Sequence, residues 1–94
     1  MVGFDEALSI LENPTRREIL MLLVKEPHYP LQISELINVS QQAVVKHLKV
    51  LEDVNYVELI KKTEFTRQRT WVSLTAEGRK AFERHLEVLK NIIG

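Results

Sequence analysis

The periodicity of apolar residues changes twice along this chain of 94 residues. Up to about Asn55, apolar residues recur every three or four positions, which is the spacing that places them on one face of a helix. After Asn55 they alternate with polar residues, as in a half-buried strand, and from Thr75 onward the helical spacing returns. The pattern predicts a mainly α fold with a small β-hairpin (α+β), in which a last helix follows the hairpin.

Capping residues divide the helical part into separate elements. Asn13 suits the N-cap of a second helix and Pro14 its first turn, while Thr15 with Glu18 offers an alternative capping box in the same place. The predicted helices cover about residues 4–12, 14–25, 31–37, 40–55 and 76–93, and the polar stretch 63–69 is predicted to be the loop of the hairpin. The predicted order is therefore α-α-α-α-β-β-α, within a single domain of residues 1–94.

The fourth predicted helix separates an apolar face from a polar one. At about 100° per residue, Val44, Leu48 and Leu51 fall within a narrow arc, which we expect to be buried. The opposite side carries Gln42, Lys46, Lys49 and Asp53, with Val45 at its edge. Asn38 and Val39 form a tight turn before this helix, and Ser40 suits its N-cap.

Two short helices joined by a tight turn and followed by a basic hairpin form the winged helix-turn-helix arrangement. In that arrangement the second helix enters the DNA major groove and the hairpin reaches the flanking backbone. Gln can bond bidentately to adenine, Lys can reach guanine, and Val can pack against a thymine methyl group. The residues predicted to read bases are Gln41, Gln42, Val45 and Lys46. Those predicted to bind phosphates are Ser40, Lys49, Lys61, Lys62, Arg67 and Arg69.

The overall charge gives no support for nucleic-acid binding, since 13 basic residues balance 13 acidic ones. The surplus is local, because residues 40–70 hold six Lys or Arg against four Asp or Glu. Two simpler interpretations stay open. The polar face of the fourth helix could be ordinary solvated surface, and the basic residues of the hairpin could only keep an edge strand soluble.

Three segments of the sequence resemble ArsR/MarR-type winged-helix regulators. Residues 39–52 (VSQQAVVKHLKVLE) are similar to the recognition-helix signature of this family. Residues 13–20 (NPTRREIL) resemble the opening of its second helix, and residues 69–81 (RTWVSLTAEGRKA) resemble its passage from strand to last helix. The chain departs from the family at Asn38, where Gly is common, and at Val45, where Ser is frequent. It departs again at Asn55-Tyr56, where the family often has Ala-Gly-Leu. Asn accepts the left-handed conformation, so both turns stay possible.

The last helix predicts self-association. Its apolar residues span an arc wider than one face packed on its own domain normally needs. In regulators of the family that the chain resembles, the terminal helices pair two subunits. The predicted dimer residues are Phe4, Leu8, Leu11, Phe82, His85, Leu86, Leu89, Ile92 and Ile93. The alternative is that both terminal helices close the core of a monomer.

The function that these features predict is sequence-specific binding of double-stranded DNA by a homodimeric transcriptional regulator. Its palindromic operator would have half-sites about 10 bp apart. Repression by occluding a promoter is the simplest mechanism, and activation is equally compatible with the sequence. The alternative is a winged helix that serves as a protein-interaction module without affinity for DNA.

Other classes of function are not indicated. The chain has no cysteine, and a nucleophile–base pair or a glycine-rich phosphate loop is not found, so we expect neither an enzyme nor a cofactor. His85 is the only histidine of the last helix, which argues against a metal site. His28 is predicted to lie at the surface and His47 to be packed or bonded to a phosphate. We expect a cytoplasmic protein with no membrane contact, and the sequence indicates no effector ligand.

Overall fold

The computed structural model describes residues 9–93, apart from the side chains of residues 88, 89 and 91–93. Helix α1, of which residues 9–12 are described, is followed by α2 (Pro14–Lys25), α3 (Pro30–Ile37) and α4 (Gln41–Asp53). Strands β1 (Val57–Glu64) and β2 (Arg67–Leu74) precede the last helix, α5 (Ala76–Ile93). This order confirms the predicted succession of helices and hairpin.

Helix α2 supplies the centre of the core. Its N-cap is Asn13, whose Oδ1 accepts the backbone N–H of Arg16 at 3.1 Å, and Pro14 occupies its first turn. The first of the two caps considered above is therefore the one that forms. The buried residues of α2 are Ile19, Leu20 and Leu23, and they pack against Ile33 of α3, Val44, Leu48 and Leu51 of α4, Val72 of β2 and Phe82 of α5.

The segment between α2 and α3 forms a short bridge to the hairpin. The N–H of His28 donates to the carbonyl of Val72 at 3.1 Å, and the N–H of Val72 donates back at 2.7 Å. The His28 side chain is only 6% exposed, with Nδ1 2.8 Å from the carbonyl oxygen of Glu26. The prediction that His28 lies at the surface is wrong, because its backbone pairs with a strand whose Val72 is completely buried.

The hairpin is longer than the sequence pattern indicates. The antiparallel ladder runs from Val57 opposite Leu74 to Glu64 opposite Arg67, so that only residues 65 and 66 form the turn. The prediction of a loop over residues 63–69 is wrong. Residues 58–68 are all exposed, and polar side chains in this stretch indicate contact with solvent rather than an end of backbone pairing. In β1 only Val57 is buried, so the hairpin extends away from the core as a wing.

Helix α5 begins against the chain that leaves α4. The Thr75 hydroxyl accepts the N–H of Gly78 at 2.9 Å and donates to the carbonyl of Asn55 at 2.6 Å, which confirms Thr75 as the cap. Asn55 has a positive φ of 61°, as its Asn allows. A Cβ atom on Gly78 would lie 2.1 Å from the carbonyl oxygen of Tyr56. Only glycine therefore permits this approach of α5 to the end of α4.

Candidate nucleic-acid interface

The turn between α3 and α4 fixes how the second helix is presented. Asn38 adopts the left-handed conformation, with φ 57° and ψ 48°, and its N–H donates to the carbonyl of Ser34. The Ser34 hydroxyl in turn donates to the carbonyl of Val39 at 2.7 Å. The prediction of a tight turn at Asn38 is confirmed. The part played by Ser34 was not predicted, because a serine near a helix end is too common to single out.

The N-terminus of α4 is capped and open to solvent. The Ser40 hydroxyl accepts the N–H of Ala43 at 3.1 Å, and Ser40 precedes the helix in an extended conformation. A shallow cleft surrounds this end of the helix, lined by Ser40, Gln41, Gln42, Ala43, Val45 and Lys46. A helix N-terminus attracts anions because its backbone N–H groups point outward and the helix dipole is positive there.

Helix α4 keeps its two faces apart. Val44, Leu48 and Leu51 are buried against α2 and α3, as the helical spacing predicts. The polar face is fully in solvent, and even Val45 is 53% exposed. The exposed residues of this face are Gln41, Gln42, Val45, Lys46 and Lys49. The structure therefore brings the four predicted base readers and Lys49 together on one accessible surface.

His47 lies at the border between these faces. Its side chain is half-buried. Burial, together with the positive charge of Arg16 on α2, lowers the pKa of His47 below its ordinary value of 6.5. Arg16 is itself held by its Nε, which donates to the carbonyl of Ile10 at 3.1 Å. The prediction of a packed His47 agrees with this position.

The basic residues of the wing do not share one face. Side chains alternate along a strand, and the register places Lys62 opposite Arg69 and Lys61 opposite Thr70. Lys62, Arg67 and Arg69 therefore lie on one face and Lys61 on the other. Lys61, Lys62 and Arg67 are exposed, so all three can reach a phosphate.

Arg69 is engaged within the chain. Its Cζ atom lies 4.2 Å from the centroid of the Tyr29 ring, and its Nη1 lies 3.9 Å from Oε2 of Glu64. The indole N–H of Trp71 donates to Oε1 of Glu64 at 3.1 Å, and its ring meets that of Tyr29 edge to face, with centroids 5.3 Å apart. We call Tyr29, Glu64, Arg69 and Trp71 the wing cluster.

The wing cluster was not predicted, because no spacing in the sequence connects Tyr29 with three residues some 40 positions later. The aromatic residues were the only available signal, and aromatic residues most often mark a core. The two wing arginines therefore differ in how free they are to bind DNA. Arg67 is exposed, whereas the half-buried Arg69 would have to leave Tyr29 and Glu64 to contact a phosphate.

The predicted dimer residues fall into three groups. Leu11 and Phe82 are buried in the core of the chain itself, at 6% and 3% exposure, so their side chains have almost no surface left for a partner. His85 is half-buried, with Nε2 shielded from solvent, and Leu86 is exposed. The remaining side chains lie outside the described residues; they are Phe4, Leu8, Leu89, Ile92 and Ile93.

Within residues 9–93, no group of three His, Cys, Asp or Glu side chains is placed to hold a metal ion. In the same part of the chain, no helix is both long and apolar enough to cross a membrane.

Residues 15–93 match the family described as "Winged helix DNA-binding domain". The chain belongs to this family. The winged helix assignment agrees with the geometry above, since α3 and α4 form the helix-turn-helix and β1 and β2 the wing. The family and the fold are those of DNA-binding proteins rather than of enzymes.

Solved structures support the same fold. The transcriptional regulator homologue protein from Pyrococcus horikoshii OT3 is 30% identical with a TM-score of 0.84, and the match covers 90% of this chain and 85% of that one. YusO from Bacillus subtilis is 29% identical with a TM-score of 0.81, over 95% of this chain and 66% of the longer YusO chain.

A more distant structure shows the fold alone. A transcriptional regulator of the MarR family from Enterococcus faecalis V583 is 18% identical with a TM-score of 0.80, over 89% of this chain and 76% of that one. No curated protein matches this winged helix chain in sequence. The family match and these structures confirm the predicted winged helix-turn-helix fold and the resemblance to MarR-type regulators.

Proposed function

We propose that this winged helix domain is a transcriptional regulator that binds double-stranded DNA sequence-specifically as a homodimer. The observation that carries the proposal is the division of α4 into a buried apolar face and an exposed face of Gln and Lys beside an open, capped N-terminus. The solved relative from Pyrococcus horikoshii is described as a transcriptional regulator homologue, which supports the same assignment.

In the proposed complex α4 lies in the major groove. Gln41, Gln42, Val45 and Lys46 then face base edges, where Gln suits adenine and the Val45 methyl groups suit thymine. Ser40, Lys49, Lys61, Lys62, Arg67 and Arg69 bind phosphates in this proposal. Because Arg69 is held in the wing cluster, we assign Arg67 the leading role among the wing arginines.

The homodimer forms in this proposal through α1 and α5. Leu86 offers exposed apolar surface on α5. Phe4, Leu8, His85, Leu89, Ile92 and Ile93 complete the proposed interface. Leu11 and Phe82 are not retained, because each is already buried in its own chain. Two recognition helices related by a two-fold axis would read a palindrome with half-sites about 10 bp apart.

Regulation in this proposal is repression, in which the dimer occludes a promoter in the cytoplasm. Nothing in the described residues identifies a class of effector ligand.

The test is selection from a random pool of duplex DNA, followed by binding at two or more salt concentrations. We expect a palindrome to be enriched. We also expect Lys46→Ala/Lys49→Ala to weaken binding and to lower the slope of log K against log salt by about 0.9 for each phosphate contact removed. Lys80→Ala, an exposed change on α5 outside the site, should bind as the unchanged chain does.

A folded dimer that binds no duplex at low salt would contradict the proposal. The same surface would then belong to a protein-interaction module, on which the charges of Lys46 and Lys49 are dispensable. Sedimentation at several concentrations tests the homodimer separately, and a monomer throughout would contradict that part alone.

A further inference from the structure

The turn of the wing carries an aromatic side chain that packs against no residue in the part of the chain that the structure describes. Phe65 is fully exposed, at 103% of the reference surface for its residue type. Apolar side chains that stand singly on a surface are common, but a Phe at complete exposure gives up the whole benefit of burying a ring. An unused ring of this size at a protruding end is suited to a contact outside the chain.

The backbone conformation at Phe65 is a second unfavourable feature of this position. Its φ is 57°, in the left-handed region where residues with a Cβ atom are disfavoured. Two-residue hairpin turns usually place Gly, Asn or Asp at such a position. A bulky aromatic residue held there, without any packing in return, suggests that its side chain is retained for binding.

The position of Phe65 also keeps it away from the core. All of β1 beyond Val57 is exposed, so the ring stands at the far end of an eight-residue ladder. At about 3.3 Å per residue, the turn lies more than 20 Å beyond the buried end of the strand. A DNA duplex bound with α4 in its major groove would therefore meet this end of the wing beside the major-groove contact.

The charges around Phe65 suit a polyanion. Arg67 is exposed and, within the described part of the chain, has no carboxylate within ion-pair distance. The nearest acidic side chain, Glu64, is turned back onto the hairpin face by the Trp71 indole N–H at 3.1 Å and by Arg69 at 3.9 Å. The turn therefore presents an apolar ring beside a guanidinium that has no ion pair within the described residues, while the carboxylate of Glu64 faces Arg69 and Trp71.

An apolar side chain next to a basic one is a combination that proteins insert into the minor groove of DNA. Apolar wedges inserted between base steps, with basic residues on the adjacent phosphates, unstack the step and bend the duplex toward the major groove. Pyrimidine–purine steps such as TA and CA unstack most easily. We propose that Phe65 is a wedge that enters the minor groove beside each half-site, with Arg67 on the neighbouring phosphate, and that it confers a preference for flexible flanking steps.

The inference rests on the proposed function, and one experiment separates the two. The probe is the duplex enriched by the unchanged chain, labelled at both ends for energy transfer, with 2-aminopurine at the flanking step. Phe65→Ala should bind about tenfold more weakly, with a smaller bend and no rise in 2-aminopurine fluorescence. The salt slope should be unchanged, because no charge is removed.

Two further variants test whether the aromatic ring of Phe65 causes the bend. Phe65→Leu keeps an apolar wedge and should retain part of the bend, whereas Thr66→Ala alters the same turn and should behave as the unchanged chain does. Equal bending and affinity for Phe65→Ala would overturn the wedge while leaving the regulator in place. A change in sedimentation instead of bending would also overturn it, because the ring would then join copies of the chain. If the unchanged chain binds no duplex, both proposals fail together.

Discussion

The guanidinium carbon of Arg69 lies 4.2 Å from the centroid of the Tyr29 ring, so a cation of the wing rests on the residue that precedes α3. A cation over an aromatic face is attracted by the ring, most strongly where both are partly shielded from water. The contact connects the helix-turn-helix to the third residue of β2, which is close to the turn of the hairpin. Tyr29, the N-cap of α3, therefore helps to fix the direction of the wing relative to the helix-turn-helix.

Glu64→Gln should strengthen binding to DNA. The change removes a negative charge near the proposed phosphate contacts and weakens the hold on Arg69, while the amide can still accept the Trp71 indole N–H. We expect affinity to rise about threefold at low salt and the salt slope to steepen by up to about 0.9, the value for one added phosphate contact. Titration of the enriched duplex at several salt concentrations measures both.

Glu58→Gln is the matched control for that change. Glu58 lies on the same strand and, by alternation, on the same face as Glu64, but next to the core end of the hairpin. It should leave the salt slope near that of the unchanged chain. A similar gain from both variants would mean that net charge, rather than release of Arg69, is responsible.

Two substitutions of Ser40 should separate stability from DNA binding. Ser40→Ala removes the acceptor of the Ala43 N–H and should cost about 1 kcal/mol in the free energy of unfolding. Ser40→Asp keeps a capping oxygen and suits the helix dipole, so the stability should be retained. The added carboxylate nevertheless repels a phosphate at the same place, and affinity for DNA should fall at least tenfold.

Urea denaturation and duplex titration of both Ser40 variants give the comparison. Undiminished DNA binding by Ser40→Asp would show that no phosphate docks at the N-terminus of α4.

Gly78→Ala should destabilise the fold strongly. The new methyl group would lie 2.1 Å from the carbonyl oxygen of Tyr56, and that atom is fixed by accepting the N–H of Thr75 at 3.0 Å. We expect a loss of about 3 kcal/mol, near the upper end for overpacking in a rigid site. Lys80→Ala, at an exposed position one half-turn later, should change the free energy of unfolding by less than about 0.5 kcal/mol.

Denaturation midpoints in urea decide this prediction. If Gly78→Ala were more stable than the unchanged chain, helix propensity alone would explain it, and the close approach of α5 to Tyr56 would be wrong.

Stability should depend on the protonation of His47. Its pKa is lowered in the folded chain by burial and by Arg16, so the unfolded chain binds more protons below pH 6.5. The contribution of the neutral imidazole is therefore complete above pH 6.5 and is lost as the pH falls through the lowered pKa. Urea midpoints between pH 7.5 and pH 5.5 should decline for the unchanged chain and decline less for His47→Gln. Parallel curves for the two proteins would exclude His47 as the source.

The sequence predicted the helices and the two faces of α4 well, because both depend on local chemistry. Asn13, Ser40 and Thr75 cap helices through their own side chains, and Asn38 accepts a left-handed turn without help from the rest of the fold. The spacing of Val44, Leu48 and Leu51 assigned the buried face of α4 correctly and left its partners unspecified.

The errors arose where a residue's environment is made by distant parts of the chain. His28 lies in a proline-bounded loop, yet backbone pairing with Val72 buries it. The polar outer hairpin has no buried face to mark its register, so its strands were mistaken for a loop. Phe82 was assigned to the dimer interface, although it is buried in the core of its own chain. The apolar arc of α5 does not distinguish residues that pack on this core from residues that could contact a partner.

Helical periodicity, capping residues and the Gln and Lys face of α4 were therefore determined by the sequence alone, since each depends on residues within a few positions of one another. Only the tertiary structure decided that Arg69 rests on Tyr29, that Glu64 accepts the Trp71 indole N–H, and that Phe65 is fully exposed. The physical reason is that these relationships depend on packing across the fold. No local spacing determines which distant side chains will meet or which exposed residue will be left without a partner.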